Sequence, residues 1–353
     1  MKKRDPDGEN DWNQPRRPTI KDVAAKAGVS VSSVSRVLNG EPYTSALLQK
    51  KIMRAVSSLG FEPDYTAQSM RSGATNTVGC LVSDISNPLY GDILNGAEEE
   101  LQRAGYVMVL GTTRYEAERE TALLSIVRRR RMDGLLLLAG HNDQPAFRDG
   151  LANLEIPCVT VDRDLPNASS VRSDHRGGGL EATRHLIGLG HRRIALLTGR
   201  INLLPSAERL AGYEQAHIEA CIPIDRALLR PQNQATSFAF SDVYELLKRP
   251  DRPTAIITMG THMLASVMEA LASTHMQYPH DVSLVCIGDT DLARYATPSI
   301  STVTWSLNEM GRIAAGMLID RIRGVASGDP QTIHLPTRFI LRNSTASPQE
   351  KRA

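Results

Sequence analysis

The residues best equipped to recognise another molecule lie near the start of the chain, in TIKDVAAKAGVSVSSVSRVLN from Thr19 to Asn39. On a helix capped by Ser30, the positions Val31, Ser32, Ser33, Ser35, Arg36 and Asn39 face outward and are small or hydrogen-bonding. Such a face can do hydrogen-bond chemistry at base edges in a DNA groove. Catalytic arrangements are missing from the sequence. It has no G-x-S-x-G, H-E-x-x-H or P-loop pattern, and DHRGGG at Asp174 to Gly179 is not G-x-G-x-x-G. Four scattered cysteines (Cys80, Cys158, Cys221, Cys286) and nine dispersed histidines indicate neither a disulfide framework nor a zinc site. No enzyme activity, cofactor or metal is expected.

The elements that must hold the N-terminal face are legible in the spacing. Ile20, Val23, Ala24 and Ala27 form one buried stripe, and Thr19 with Asp22 is a capping-box pattern that starts the helix. Gly28-Val29 turns the chain, and Val34, Val37 and Leu38 form the inward face of the second helix. This is helix-turn-helix anatomy; the competing reading is a plain helical hairpin with a serine-rich surface. A third helix is expected from about Ser45 to Leu59, stopped by Gly60. Between Arg16 and Arg71 there are nine basic and four acidic residues, a net +5 in a chain whose total is +2. That asymmetry suits a phosphate backbone.

The remaining chain has the length and composition for a sizeable core, at 353 residues with 41% hydrophobic and 23% charged. Met1 to Pro18 is polar and mixed in charge, so it reads as a disordered tail rather than an export signal, and no later run reaches transmembrane length. A cytoplasmic protein with no membrane partner is expected. From Thr77 onward, continuous apolar strands alternate with helices: strands at 78–82, 106–110, 134–138, 157–161, 193–198, 255–258 and 282–286. The pattern implies two doubly wound parallel lobes, at about 76–174 and 175–303, with ligands bound at the strand ends in the cleft between them.

From Thr19 to about Thr345 the chain resembles LacI/GalR-type bacterial transcriptional regulators. The resemblance rests on TIKDVAAKAGVSVSSVSRVLNG, GFEPDYTAQSMRSGATNTVG, DISNPLY, VDR, GHRRIALLTG, ERLAGYEQA, RPTAIIT and DVSLVCIGD. It implies a helix-turn-helix domain at 19–62, a hinge helix and linker at 63–75, and a two-lobed periplasmic-binding-protein-like effector domain at 76–345. Residues 304–331 would return to lobe 1 and 332–345 to lobe 2, with a loose tail at 346–353. Carried over residue by residue, Val31 and Ser32 open the recognition helix as the base-reading pair. Arg36 is a third reader, suited to a guanine edge. Thr19, Ser30, Ser33, Asn39, Tyr43 and Ser45 match backbone-positioning contacts. In the hinge, Met70 stands where the family's minor-groove wedge is usually Leu, Gln68 where Arg is common, and Asp64 where Asn is usual.

Strand ends and the resemblance together nominate the ligand residues. Asp84, Leu89 and Tyr90 sit at the mouth of the first lobe, the latter two matching positions that sandwich an effector ring. Asp162 ends another strand, and Arg209 in ERLAGY matches the effector-binding arginine. Departures follow. The usual Asn-Asp pair after RPTAIIT falls on Gly260 and Thr261, the usual effector aspartate falls on Gly288 beside Asp289, and a common glutamine falls on Trp305. With two acceptors gone and an arginine kept, the wall becomes more electropositive, which suits a sugar acid or another small carboxylate. The alternative is a neutral sugar bound through Asp84, Asp162 and Asp289. Competing roles exist for each residue: helix caps for Asp84 and Asp162, a surface ion pair for Arg209, core packing for Tyr90.

Taken together, the sequence points to a ligand-responsive repressor of carbohydrate or sugar-acid genes. It would bind a near-palindromic double-stranded operator as a homodimer and associate with the nucleoid when bound. A solute-binding protein for transport is the alternative; it would share the lobes but need an export signal and no helix-turn-helix.

Overall fold

The structure, a computed structural model, describes residues 18–38, 44–62, 73–138, 140, 145–232, 239–260, 262–326 and 328–349. The chain divides into two compact units after Thr75. The first contains α1 (Ile20–Ala27), α2 (Val31–Leu38) and α3 (Ala46–Leu59). Thr19 starts α1, its backbone N–H and its hydroxyl both donating to Asp22 Oδ2 at 2.7 Å. Gly28 ends α1 in the left-handed conformation, φ 57°, which a side chain would strain. Val23, Ala24, Ala27, Val34, Ile52, Ala55 and Phe61 form this unit's own core.

The second unit contains two six-stranded sheets. Lobe 1 uses β1 (Thr77–Val82), β2 (Val107–Thr112), β3 (Gly134–Leu138), β4 (Cys158–Val161), β5 (Ser169–Ser173) and β11 (Thr332–Leu335). Its strands run all parallel in the order β11-β5-β4-β3-β1-β2. The helices of this lobe are α4 (Pro88–Arg103), α5 (Ala117–Arg129), α6 (Pro145–Ala152) and α12 (Leu307–Ile322). Lobe 2 uses β6 (Ile194–Thr198), β7 (Leu229–Pro231), β8 (Ala255–Met259), β9 (Ser283–Ile287), β10 (Ser301–Thr304) and β12 (Arg338–Ile340). The order is β12-β10-β9-β8-β6-β7, with only β12 antiparallel to its neighbour. Its helices are α7 (His175–Gly188), α8 (Leu204–Glu219), α9 (Phe240–Lys248), α10 (His262–Ser273) and α11 (Asp291–Tyr295). Central strands are buried along their length, as continuous apolar runs covered on both faces require.

Three segments cross between the lobes: around Asp174, around Trp305-Ser306 and around Pro336-Thr337. They are tied side by side, Asp174 N–H donating to the Leu335 carbonyl at 3.0 Å and Thr337 Oγ1 to the Asp174 carbonyl at 3.2 Å. The third crossing corrects one expectation. Residues 332–345 do not all return to lobe 2. Thr332–Leu335 completes the lobe 1 sheet beside β5, and only Arg338–Ile340 joins lobe 2. Pro336 has no N–H for a ladder and stands where the chain changes sheets. A second correction concerns the end of the chain, expected to be loose from residue 346. Ser344 is fully buried, and Ala346 exchanges hydrogen bonds with Ser283 Oγ through both its N–H and its carbonyl at 3.0 Å.

Candidate nucleic-acid interface and ligand cavity

On α2 the expected recognition face is open. Val31 is 41% exposed although apolar, and Ser30, Ser32 and Arg36 are exposed beside it. The Ser30 hydroxyl accepts from the Ser33 N–H at 3.2 Å and lies 2.9 Å from the hydroxyls of Ser32 and Ser33. The cap therefore fixes the start of α2 and holds two candidate contact side chains in place. Ser45, also exposed, caps α3 by accepting from Leu48 N–H at 3.3 Å. Thr19 is half-buried at the start of α1. Asn39, Tyr43, Gln68 and Met70, with the hinge segment 63–72 and Thr261, lie outside the described residues.

Between the lobes of the second unit is a cavity of about 50 Å³, lined by Leu89, Tyr90, Asp162, Arg209 and Trp305. Asn87, Ile93, Tyr115, Val161, Leu203, Pro205, Ser206, Met259 and Leu307 complete its wall. The volume is far below the roughly 300–1,000 Å³ of ligand pockets, so a ligand of that size fits only if the wall opens.

Arg209 is buried on α8 because α7 and α8 approach closely. A Cβ on Gly179 would meet the Arg209 carbonyl at 2.6 Å, and one on Gly212 would meet the Arg176 carbonyl at 2.2 Å. The guanidinium donates from Nη2 to His175 Nδ1 at 3.1 Å and from Nη1 to Met259 Sδ at 3.7 Å. Because Nδ1 accepts, the ring proton belongs on Nε2, which lies 3.0 Å from Asp162 Oδ2. Arg209 and Asp162 thus stand at the two nitrogens of one imidazole. Trp305 packs over both partners, its ring edge-on to His175 at 5.3 Å and 5.7 Å from Arg209 Cζ.

Burial alone would raise the Asp162 carboxyl. The neighbouring His175, the Ser173 N–H at 2.9 Å and the Arg209 charge outweigh it, and the carboxyl is held below its usual range. Burial pulls Arg209 down, opposed by Asp162, and an arginine so placed keeps its charge. Burial also pushes the Tyr90 and Tyr115 phenols up, so both are neutral hydrogen-bonding groups, Tyr90 Oη sitting 2.8 Å from Ser83 Oγ. Among the buried polar groups without a protein hydrogen-bond partner, Arg209 Nε, Trp305 Nε1 and the Tyr115 hydroxyl belong to the cavity wall. Groups of this kind in a cavity wall suit a ligand that bears hydrogen-bond acceptors.

Asp84 and Asp289 do not line the cavity. Asp84 accepts from the Ser86 N–H and hydroxyl at 2.9 and 2.8 Å, at the cleft mouth, where Ser86 Oγ is 3.5 Å from His262 Nε2 of lobe 2. Asp289 is taken by Arg342 at 2.8 Å, Arg294 at 2.9 Å and Thr302 at 3.1 Å. Against burial, the two arginines keep its carboxyl low. The two glycines that replace polar positions leave no room for side chains. A Cβ on Gly260 would meet the Gly288 carbonyl at 2.4 Å, and one on Gly288 would meet Leu89 at 2.9 Å. Residues the sequence did not nominate are His175, Asn87, Tyr115, Ser206 and Met259. The only signal for His175 was its place after Asp174 at a strand-to-helix junction. Among the described residues no cluster of His, Cys, Asp or Glu could hold a metal ion, and no helix is long and apolar enough to cross a membrane.

Residues 19–64 match the family of bacterial regulatory proteins, lacI family, and residues 183–345 match a periplasmic binding protein-like domain. The chain is 31% identical over 332 residues to the ribose operon repressor of Haemophilus influenzae, covering 93% of this chain and 99% of that protein. A solved transcriptional regulator CelR–cellobiose complex is 31% identical, with TM-score 0.69 over 93% of this chain and all (100%) of that one. A lac repressor dimer bound to operator and an anti-inducer shares the fold at TM-score 0.83 and 23% identity, covering 94% of this chain and 100% of that one.

Proposed function

Since this chain belongs to the lacI family of bacterial regulatory proteins, and is thereby a ligand-responsive DNA-binding repressor, we propose that it represses carbohydrate or sugar-acid utilisation genes and releases its operator when a small acidic sugar enters the cleft. The observation that carries this reading is the pair of orphaned donors, Arg209 Nε and Trp305 Nε1, at one cavity. A carboxylate would accept from both, and Arg209 is the only cation among the described residues of the lining. Asp162 also lines the cavity as a carboxylate, 3.0 Å from His175 Nε2 and 2.9 Å from the Ser173 N–H, so an acidic ligand would turn its own carboxylate to Arg209 and its hydroxyls to Asp162. Leu89, Tyr90 and Trp305 would contact the ligand's apolar faces. A second reading, a neutral sugar, is favoured by Asp162 as a hydroxyl acceptor and by the relative solved with cellobiose.

On the DNA side, Val31, Ser32 and Arg36 would read bases, while Thr19, Ser30, Ser33 and Ser45 hold the phosphate backbone. Asn39, Tyr43, Gln68 and the Met70 wedge belong to the same proposal. A homodimer places two such units on a near-palindromic operator. The cavity couples to DNA only through differential affinity: ligand must bind the lobe arrangement of the released state more tightly than that of the bound state.

The test is a titration of sugars, sugar acids and small carboxylates followed by tryptophan emission. The chain has only Trp12 and Trp305, so a Trp305→Phe variant identifies the cavity signal. A saturable response to a sugar acid, lost in Trp305→Phe and in Arg209→Ala, is expected. A response to neutral sugars alone would overturn the acidic reading and leave the repressor standing.

A further inference from the structure

Behind the cavity wall, lobe 1 buries an ion pair whose two residues are not among those that line the cavity. Arg163, next after Asp162, reaches Glu120 on α5, with side chains only 1% and 4% exposed. Phe147 of α6 lies under the guanidinium, its ring centre 4.3 Å from Cζ, and a Cβ on Gly140 would meet Nη1 at 2.6 Å. The other end of residue 163 is equally held, since its carbonyl accepts from Thr160 Oγ1 at 2.7 Å and Ser170 Oγ at 3.1 Å. Asp162 itself has φ 49°, the left-handed region, while its N–H donates to the Val171 carbonyl at 2.9 Å. A left-handed non-glycine residue persists only where its surroundings over-determine it.

A buried ion pair is a poor stabiliser, because desolvation offsets the attraction and apolar replacements of like volume often serve stability as well or better. Its geometric effect is harder to replace. We propose that the Glu120–Arg163 pair is a positioning device for the ligand site: it clamps the residue after Asp162, holds Asp162 in its left-handed turn, and so aims the Asp162 carboxylate at His175 and, through it, Arg209. The proposal rests on the reading of the cavity as the ligand site. Glu120 and Arg163 touch no ligand in it; they act through Asp162.

The test uses the full chain in a Trp12→Phe background, so that emission reports Trp305 alone. The variant is Glu120→Leu with Arg163→Met, which removes both charges and leaves neither unpaired. Its melting temperature and ligand-free operator affinity should stay near the parent's. The Ser173 amide, which donates to Asp162 Oδ1, should exchange about tenfold faster while the Ile256 amide in lobe 2 is unchanged. The shift in Trp305 emission should match that of Asp162→Asn, and combining the two changes should add nothing. Parent-like exchange and emission in the folded double variant, or additive effects with Asp162→Asn, would overturn the proposal. If the double variant does not fold, Glu120→Gln is read by the same three measurements. Titration with D-gluconate and D-ribose then separates the two readings. Arg209→Ala without effect on either titration removes the cavity as ligand site, whereas the exchange and emission results judge the clamp itself.

Discussion

Arg36 and Arg209 carry the same guanidinium into opposite surroundings. Arg36 is exposed on α2, where water solvates its charge, and its proposed partner is a guanine edge. Arg36→Ala should cost about 1–3 kcal/mol of discrimination at one base position per half-site, read as flattened relative affinities across an operator-variant series. Equal losses on every sequence would make Arg36 a phosphate contact instead. Arg209 is buried, with one donor left over, so its replacement should remove the ligand response and leave operator affinity intact. Short motifs nominate both arginines, and the structure leaves Arg36 exposed and puts Arg209 in the cavity wall. Asp289 was a reasonable nominee on the same grounds, but a carboxylate belongs to whichever cation reaches it first. Arg342 follows β12 and Arg294 lies on α11, and no local pattern announces that both converge there. His175 was missed for the converse reason: its partners Asp162, Arg209 and Trp305 come from three distant segments.

At the scale of elements, helix caps and apolar strands were readable because they depend on neighbours in sequence. Thr19 with Asp22, Gly28 and Gly60 stand where the first three helices begin and end. The spacing of α7 against α8 was not readable, since it depends on Gly179 and Gly212 meeting carbonyls of the facing helix. Gly212→Ala should therefore force the helices apart. A loss of at least about 1–3 kcal/mol in denaturant unfolding is expected, with weaker ligand binding because Arg209 moves with α8. The end of the chain offers a pH test. Buried His191 contacts Thr254 Oγ1 at 2.8 Å through Nδ1, and donates from Nε2 to the Ala346 carbonyl at 2.9 Å. Burial lowers its pKa from 6.5, opposed by that carbonyl. The folded state thus prefers the neutral ring: its contribution is complete above 6.5 and is lost as pH falls below that value. Melting temperature should drop between about pH 7.5 and 5.5, and His191→Phe should flatten that dependence while lowering stability at neutral pH. An unchanged slope in His191→Phe would assign the dependence to other groups.

For the whole molecule, two doubly wound lobes were expected from strand alternation, but the assignment of the last strands needed the sheets themselves. β2 is the free edge of lobe 1, and Val107 and Val109 on it are 65% and 43% exposed. An apolar open edge calls for a cover, and a second copy of the chain is the proposed one. Val109→Asp should convert a dimer to a monomer in sedimentation and weaken operator binding; an unchanged mass would move the interface elsewhere. The crossings between lobes also impose an order in time. The DNA-reading head has its own core and is complete by Phe61. Lobe 1 begins next, yet its covering helix α12 and its edge strand β11 come from 307–322 and 332–335, after nearly all of lobe 2. As the chain leaves the ribosome, the head can fold early, whereas the lobe 1 core stays open almost to the end. A chain halted after Thr304 would lack β11 and α12 from one sheet and β12 from the other. It would keep every residue of the head and lose Trp305 and Leu307 from the cavity wall.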